Sequence, residues 1–254
     1  MDIKGHAAIV TGAGSGMGAE TARFLSARGA RVALLDVDAG AAEEVAGDIG
    51  GIALACDVAD AGSVERAVAA AREKQGPARL VVNCAGIAPA KRVVGRDGPM
   101  PLDDFKRVID VNLTGTFNVC RVAAADMTGL EAVNDSGECG VIICTASIAA
   151  FEGQIGQAAY SASKGGIVSM TLPVARELAR FGIRVVTIAP GLMATPMLLG
   201  FSREVRDSLA AQVPFPRRLG RPGEYAALVG HVIDNTLING AVLRLDGGIR
   251  MQPK

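Results

Sequence analysis

Short apolar runs alternate with Ala-rich stretches of helical length along the whole chain. Most of the runs are apolar at every position, which is typical of strands that are buried on both faces of a sheet. The runs are His6–Val10, Arg31–Leu35, Ile52–Cys56, Leu80–Cys84, Val141–Cys144, Arg184–Ile188 and Ala241–Leu245. Stretches such as Ala39–Asp48 and Ser63–Lys74 place Ala, Val and Glu at helical spacing between them. The alternation predicts a doubly wound α/β fold, a parallel seven-stranded sheet with helices on both faces.

The ends of one helical stretch are marked by capping and stop residues. Asp60 or Ser63 could cap the helix that contains Ser63–Lys74, and Gly76-Pro77 would end it. No linker-like shift of composition, internal repeat or low-complexity tract divides the chain. We therefore predict a single domain over residues 1–254.

The composition excludes several classes of protein. Hydrophobic residues make up 50% of the chain, enough to bury a full core, so a disordered chain is excluded. The 26 Lys and Arg residues balance the 26 Asp and Glu residues, which leaves no basic excess to attract nucleic acid or an anionic membrane. No apolar run approaches the ~20 residues of a membrane span. We expect neither nucleic acid nor a membrane as a partner.

The cysteines are odd in number and scattered, at Cys56, Cys84, Cys120, Cys139 and Cys144. With no Cys-x-x-Cys pair and only two histidines, neither a disulfide framework nor a metal site is expected. The segment Met1–Lys4 lacks the basic-then-apolar layout of a signal peptide. These features predict a reduced, soluble protein of the cytoplasm.

A glycine-rich turn, Thr11–Gly18, directly follows the first predicted strand and precedes a helical stretch, Ala19–Ala27. Gly12, Gly16 and Gly18 would let the backbone N–H groups approach a pyrophosphate, which the positive end of the helix also favours. An ordinary flexible turn is the alternative. The order of strand, turn and helix favours dinucleotide binding.

Asp36, at the end of the second predicted strand, lies near the distance at which a carboxylate would hold the adenosine ribose diol. A carboxylate there would repel a ribose 2′-phosphate, and neither Ser15 nor Val37 offers a compensating cation. We therefore predict NAD rather than NADP as the cofactor. Alternatively, Asp36 caps the helix Ala39–Asp48, which would leave the choice of cofactor open.

Two further strand ends would meet the same crevice. Asp57 and Val58 end the third strand and could meet the adenine edge, although Asp57 could equally cap a turn. Asn83-Cys84-Ala85-Gly86 ends the fourth strand, and its small residues would permit close approach to the cofactor.

Tyr160 and Lys164 are four residues apart, on one face of a predicted helix. A nearby ammonium lowers the pKa of a phenol from its usual value near ~10, which would make Tyr160 a usable general acid or base. Such pairs also occur on exposed helices. Ser147, thirteen residues before Tyr160, could bind a substrate oxygen from the opposite side. A serine nucleophile is the competing interpretation, but no Gly-x-Ser-x-Gly elbow is present.

Two segments interrupt the alternation. Lys91–Pro101 contains Gly, Pro and charged residues and is predicted to be a surface loop. Met193–Gly220, part of a predicted substrate loop over about 191–220, would follow the sixth strand at the edge where α/β sheets bind ligands. It could form a lid or a packed connector. Its apolar residues, which would suit a fatty acyl chain or a sterol, are Met193, Met197, Leu198, Leu199, Phe201 and Phe215.

Together these residues resemble the short-chain dehydrogenase/reductase family over nearly the whole chain. The matching motifs are Thr11-Gly12-x-x-x-Gly16-x-Gly18, Asp57, Asn83-x-Ala85-Gly86, Asn112, Ser147, Tyr160-x-x-x-Lys164 and Pro190-Gly191 with Thr195. The resemblance implies a Rossmann-type fold and a homotetramer. It implies that Tyr160 transfers a proton, Ser147 orients the substrate oxygen and Lys164 lowers the Tyr160 pKa while binding the nicotinamide ribose. Asn112 would hold a water that relays protons to Lys164.

Stretches outside these motifs are similar to the subfamily of type-2 3-hydroxyacyl-CoA dehydrogenases, also known as 17β-hydroxysteroid dehydrogenases. They include Phe151–Val168, Val213–Pro216 and Leu245–Pro253. By that similarity Gln154 and Gln157 lie near the substrate. The implied NAD contacts include Ser15, Met17, Asp36, Asp57, Val58, Cys84, Tyr160, Lys164, Met193 and Thr195.

These features predict a reversible oxidation of a secondary alcohol to a ketone with NAD, with 3-hydroxyacyl-CoA as the substrate. Three alternatives stay open. They are a 3-oxoacyl-thioester reductase that uses NADPH, a hydroxysteroid or other secondary-alcohol dehydrogenase, and a silent NAD-binding scaffold. A scaffold would have no need of Ser147, Tyr160 and Lys164 together.

Overall fold

The strands lie within one or two residues of the predicted apolar runs. The structure, a computed structural model, describes residues 1–253 apart from the side chain of Met197. The strands are β1 (Ala7–Thr11), β2 (Arg31–Asp36), β3 (Ile52–Ala55), β4 (Leu80–Asn83), β5 (Val94–Gly95), β6 (Gly98–Pro99), β7 (Gly140–Thr145), β8 (Ile183–Pro190) and β9 (Val242–Leu245). Seven of them form one parallel sheet in the order β3-β2-β1-β4-β7-β8-β9. The predicted doubly wound α/β fold is confirmed.

The helices connect these strands and extend slightly beyond the predicted stretches. They are α1 (Gly16–Ala27), α2 (Ala39–Ile49), α3 (Ala61–Gln75), α4 (Leu102–Ile109), α5 (Gly115–Met127), α6 (Ala158–Leu178), α7 (Pro196–Leu199), α8 (Arg203–Ala211) and α9 (Pro222–Asp234). Of the two predicted caps for α3, Asp60 takes the role, because its carboxylate accepts a hydrogen bond from the N–H of Ser63. In the part of the chain that the structure describes, no helix combines the length and apolarity needed to cross a membrane.

The order of the strands reverses between β1 and β4. From β1 the chain proceeds outward to β2 and β3, and then returns to place β4 on the opposite side of β1. In an open α/β sheet, such a reversal leaves a crevice at the carboxyl ends of the two strands, where ligands bind. β1 ends at Thr11, immediately before the glycine turn, and β4 ends at Asn83. The topology therefore brings these two predicted segments together.

Successive residues of the strands supply two separate hydrophobic clusters, one on each face of the sheet. In β1, Ala8 and Val10 pack in the cluster that includes α1, α2 and α9, whereas Ile9 packs in the cluster that includes α3, α5 and α6. Because both faces are covered, the strands need apolar residues at every position. This explains why the runs in the sequence do not alternate between apolar and polar residues.

A buried arginine in β8 joins the sheet to the end of α9. Arg184 lies 2.6 Å from Glu138, and both side chains are nearly inaccessible to solvent. The guanidinium also donates to the main-chain carbonyls of Val232, Ile233 and Ile238, at 2.8, 3.1 and 2.9 Å. Arg184 therefore neutralises a buried carboxylate and supplies donors to carbonyl groups at the carboxyl end of α9, which the helix leaves unpaired.

The two interruptions of the alternation have structure of their own. The predicted surface loop Lys91–Pro101 contains the short antiparallel pair β5–β6. The segment Met193–Gly220 begins and ends at one point, where Met193 forms a parallel bridge with Gly220. Arg218, near its end, pairs with Glu224 of α9 at 2.6 Å. We call this segment, which contains α7 and α8, the flap, and the bridge that closes it the neck.

Candidate active site

The glycine turn presents free backbone donors to the crevice. α1 begins at Gly16, three residues before the predicted stretch, and its N-cap Ser15 makes no side-chain hydrogen bond. The first N–H groups of a helix lack partners within the helix and attract anions. At Gly12, which has φ +62°, a Cβ would lie 2.7 Å from the amide nitrogen of Ala85, and at Gly18 a Cβ would overlap the Gly12 carbonyl. The turn therefore fits a pyrophosphate, and it leaves no room for a side chain at Gly12 or Gly18.

Asp36 is held beside this turn. One carboxylate oxygen accepts a hydrogen bond of 2.9 Å from the N–H of Gly14, and the other accepts one of 3.0 Å from the N–H of Asp38. The N-cap of α2 is Asp38, which accepts from the N–H of Ala41. The alternative that Asp36 caps this helix is therefore wrong. The Asp36 carboxylate stays available to a ligand in the crevice, and the residues present fit the adenosine half of a dinucleotide.

Asp57 and Val58 make different contacts within the protein. The carboxylate of Asp57 accepts a hydrogen bond of 2.9 Å from the N–H of Ala59, so it caps its own turn, the alternative that the sequence left open. Val58 is buried against α5, where a Cβ on Gly115 would lie only 2.6 Å from its side chain. The side-chain amide of Asn118 donates to the Val58 carbonyl at 3.1 Å. These contacts hold in place the turn after β3, where the sequence predicts a contact with adenine.

The residues after β4 divide between the core and the crevice. The Asn83 amide is buried and lies 3.5 Å from the thiol of Cys120 and 3.9 Å from that of Cys144. This side chain therefore packs in the core instead of lining the crevice. The N–H of Ala85 donates to Thr11 Oγ1 at 3.2 Å, which ties this segment to the end of β1.

Ser147, Tyr160 and Lys164 meet at the same edge of the sheet. Ser147 follows β7 and Tyr160 lies in the first turn of α6, with the Ser147 hydroxyl close enough to the phenol to affect its pKa. The ammonium of Lys164 lies 5.8 Å from the centroid of the Tyr160 ring and donates to the Thr145 carbonyl at 2.7 Å. This arrangement places a phenol, an alcohol and a cation beside the crevice that fits a dinucleotide.

Burial controls the ionisation of this group. It raises the pKa of Tyr160 above its ordinary value, and the Ser147 hydroxyl offsets part of that rise. Burial also lowers the pKa of Lys164 to about 8. The sequence predicts a lowered pKa for Tyr160, whereas the groups of the protein by themselves raise it. Lys164 remains mostly protonated at neutral pH, because its pKa lies above 7.

Asn112 lies in a π-helical turn, Asp110–Thr114, between α4 and α5. Its side-chain amide donates to the Ile87 carbonyl at 2.9 Å and to the Ser163 hydroxyl at 3.0 Å. A Cβ on Gly86 would lie 3.1 Å from Asn112 Oδ1 and 3.5 Å from Lys164 Nζ. Asn112 and Lys164 therefore face each other across Gly86. A proton relay through Asn112 remains a prediction.

The two glutamines implied for the substrate side lie before and at the start of α6. The N–H of Gln154 donates to Gln157 Oε1 at 3.0 Å, and Gln154 Nε2 donates to the Gln252 carbonyl at 3.0 Å. Gln154 also lines a cavity of about 780 Å³ between this segment and the β5–β6 hairpin, to which Arg92 contributes a cation. The contact of the two glutamines with substrate stays a prediction.

The neck of the flap lies over the glycine turn. The Thr195 methyl group would be 3.3 Å from a Cβ placed on Gly16, and Pro190 is the last residue of β8. Met193 is buried, so it packs at the neck, whereas Leu199 and Phe215 are 46% and 82% exposed. Of the apolar residues predicted to suit an acyl chain or a sterol, some are therefore packed inside the protein and others are exposed on its surface. The side chain of Met197 lies outside the described residues.

Two residues of this site, Thr145 and Tyr225, are not among those predicted from the sequence. The Thr145 carbonyl is the acceptor for Lys164, and the Tyr225 hydroxyl of α9 lies 2.7 Å from Thr145 Oγ1. A signal for Tyr225 exists, because the chain has only two tyrosines and this one interrupts an apolar helix. The acceptor role of Thr145 belongs to its main chain, so no residue pattern could indicate it.

Comparisons with known proteins agree with this geometry. Residues 6–205 match the family model of the short chain dehydrogenases. The 3-hydroxyacyl-CoA dehydrogenase type-2 of Rattus norvegicus is 54% identical over 99% of this chain and 97% of that protein. The crystal structure of 3-hydroxyacyl-CoA dehydrogenase type-2 from Mycobacterium avium is 41% identical, with a TM-score of 0.92 over 98% of each chain.

The fold is also shared with a protein that carries a different name. A crystal structure of ribose-5-phosphate isomerase from Brucella melitensis 16M is 32% identical, with a TM-score of 0.86 over 97% of this chain and 93% of that one. Since a fold alone does not determine a reaction, the assignment rests on the site together with the family match. The chain belongs to the short-chain dehydrogenase family and is an oxidoreductase that acts on a CH–OH group with a nicotinamide cofactor.

Proposed function

We propose that the chain catalyses the reversible oxidation of 3-hydroxyacyl-CoA to 3-oxoacyl-CoA with NAD as the cofactor. The observation that carries the reaction is the meeting of Ser147 and Tyr160 beside Lys164, at the crevice between β1 and β4. The substrate class is supported by the similarity to the type-2 enzymes of rat and Mycobacterium avium.

The residues around the reacting oxygen have separate roles in this proposal. The Ser147 hydroxyl donates a hydrogen bond to the substrate oxygen and holds it against Tyr160. The Tyr160 oxygen takes the hydroxyl proton as the carbonyl double bond forms, and it returns a proton in the reverse direction. When bound, the nicotinamide ring supplies the carbon that accepts a hydride from the carbinol carbon.

Lys164 favours the ionised form of Tyr160, the phenolate. Burial raises the pKa of Tyr160, so a neighbouring positive charge is needed to favour the anion. The Lys164 ammonium, 5.8 Å from the ring centroid, is the cation that this chain places there. The same ammonium would bind the nicotinamide ribose, while the free N–H groups at the start of α1 and the glycine turn would bind the pyrophosphate.

A panel of substrates tests the proposal directly. We expect NADH formation from 3-hydroxyacyl-CoA thioesters, with the highest kcat/KM at one range of acyl length, and slower oxidation of hydroxysteroids. The exposed apolar residues of the flap favour an apolar substrate, so the steroids are the second candidate. Higher kcat/KM for a steroid than for every acyl-CoA would reverse that order. No NADH from any member would revive the scaffold alternative.

Asp36 supports NAD over NADP. Its carboxylate is fixed beside the glycine turn, where it can accept hydrogen bonds from a ribose diol and would repel a 2′-phosphate. We expect the Asp36→Ala variant to shift the ratio of kcat/KM for NAD and NADP toward NADP by at least about tenfold, which corresponds to ~1.4 kcal/mol. Measured kinetics with both cofactors check this.

Asp48→Ala is the matched control for this change, because it removes an exposed carboxylate at the far end of α2. It should leave the ratio unaltered. Equal use of both cofactors by the unchanged protein, or an unchanged ratio in Asp36→Ala, would contradict the assignment of NAD.

We also propose a cytoplasmic location and a homotetramer. The location is supported by the absence of disulfides among the five cysteines of the described chain. Association is supported by exposed apolar side chains on two helices, Phe117 of α5 and Leu172 of α6.

A further inference from the structure

A series of buried hydrogen bonds connects α9 to Lys164 through the last residue of β7. Tyr225 lies in the first turn of α9 with 0% of its surface exposed, and its hydroxyl is 2.7 Å from Thr145 Oγ1. The carbonyl of the same Thr145 accepts the hydrogen bond of Lys164 Nζ at 2.7 Å. The Cys84 thiol, beside the crevice, lies 3.8 Å from the Tyr225 hydroxyl. Thr145 thus connects α9 to Lys164. Its hydroxyl pairs with Tyr225 of α9, and its main-chain carbonyl accepts from Lys164.

We propose that Tyr225 is a positioning residue for Lys164, because its hydroxyl anchors Thr145 and so fixes the carbonyl that holds the ammonium beside Tyr160. This inference rests on the role proposed for Lys164. Tyr225 touches neither the reacting atoms nor Lys164, so its effect passes through Thr145.

The hydroxyl is the part of Tyr225 that packing does not require. α9 is otherwise apolar on its buried side, where Ala226, Val229, Val232 and Ile233 pack against the sheet. A phenylalanine would fill nearly the same volume at this position. A buried hydroxyl is unfavourable unless it is hydrogen-bonded, so its presence here indicates a specific contact with Thr145.

The position of the Thr145 carbonyl matters because Lys164 is buried. Burial lowers the pKa of Lys164 to about 8, close enough to neutrality that loss of its acceptor would reduce the charged fraction. The titratable groups that face Lys164 are Tyr160 on α6, Cys84 after β4, Cys144 in β7 and, behind Thr145, Tyr225. Burial raises the pKa of Cys84 and of Tyr225, so these two stay neutral near pH 7.

Tyr225→Phe tests the proposal through the pH profile. Without the anchor, the ammonium is less well held and the Lys164 pKa falls further. The Tyr160 phenolate is then less favoured, so the acid limb of the pH profile for alcohol oxidation should move upward by about half a unit or more. NADH affinity at pH 8, measured by calorimetry, should fall several-fold because the same ammonium binds the ribose.

Thr145→Val provides a second variant that removes the other hydroxyl of the pair. It should shift the profile in the same direction, and the double variant should shift it by less than the sum of the two, because both changes break the Thr145–Tyr225 hydrogen bond while each also loses a weaker contact with Cys84. If Tyr225→Phe does not fold, Thr145→Val alone decides the outcome.

Thr187→Val is the matched control, because it breaks another buried hydroxyl pair, Thr171–Thr187 at 2.6 Å, whose hydroxyls make no hydrogen bond with Lys164 or Thr145 in the described residues. It should lower Tm without moving the pH profile or the NADH affinity. The proposal is overturned if Tyr225→Phe and Thr145→Val also lower only Tm. If the unchanged protein oxidises no alcohol in the panel, the proposed function fails, and NADH affinity still decides the role of Tyr225.

Discussion

Replacing Tyr160 with phenylalanine is expected to lower kcat for alcohol oxidation by about 10²–10⁴-fold or more, the usual contribution of a general acid or base. The variant loses only the oxygen that takes the substrate proton. Its ring still packs at the start of α6, and Lys164 keeps its hydrogen bond to the Thr145 carbonyl. NADH affinity should therefore stay close to that of the unchanged protein, as calorimetry would show.

The combination of the two measurements distinguishes a chemical role from a structural one. A loss of turnover with retained NADH binding and unchanged Tm places Tyr160 in the chemical step. Turnover like that of the unchanged protein would contradict its role as proton acceptor. A parallel loss of NADH binding would indicate that Tyr160 mainly supports the cofactor site.

Replacing Arg184 with methionine is expected to reduce the free energy of unfolding by about 3–5 kcal/mol, because it removes the ion-pair partner at 2.6 Å from the buried Glu138 carboxylate and leaves the Met1 ammonium, at 3.7 Å, as the nearby cation. Three main-chain carbonyls at the end of α9 would lose a donor at the same time. For a chain of this length the loss corresponds to a decrease in Tm of roughly 6–20 °C. Thermal and denaturant unfolding would measure it.

Arg23→Met is the matched control for this prediction. Arg23 pairs with Asp48 at 2.9 Å, but the two side chains are 42% and 61% exposed, so its loss should cost at most about 1 kcal/mol. Replacing Glu138 with leucine in the Arg184→Met background should recover part of the stability, because it removes the buried carboxylate that has lost its guanidinium partner. A loss for Arg184→Met as small as that of the control would show that the pair is not structurally important.

Local patterns were sufficient to predict the parts of this protein that depend on neighbours in sequence. Strands buried on both faces must be apolar throughout, so their positions could be predicted to within two residues. The glycine turn needs small residues in a set spacing, and an i, i+4 pair on a helix places Tyr160 next to Lys164. The resemblance to the short-chain dehydrogenase/reductase family rests on these same residues, and the family match agrees with it.

Where a side chain at the end of a strand points depends on partners that are distant in sequence. The sequence allowed either Asp36 or another residue to cap α2, and only the fold shows that Asp38 does so. Asn83 turns into the core toward Cys120, although its neighbours line the crevice. Each of these choices depends on which groups the tertiary structure brings nearby.

By itself, the sequence determined the sheet and the glycine turn, and it predicted which side chains react, because each is a local pattern of residue types. Only the tertiary structure decided what holds them. The acceptor of Lys164 is a main-chain carbonyl, and the group that anchors it comes from Tyr225, 80 residues beyond Thr145 in the chain. Main-chain groups carry no residue signature, and a contact over that separation exists only once β7 and α9 have packed together.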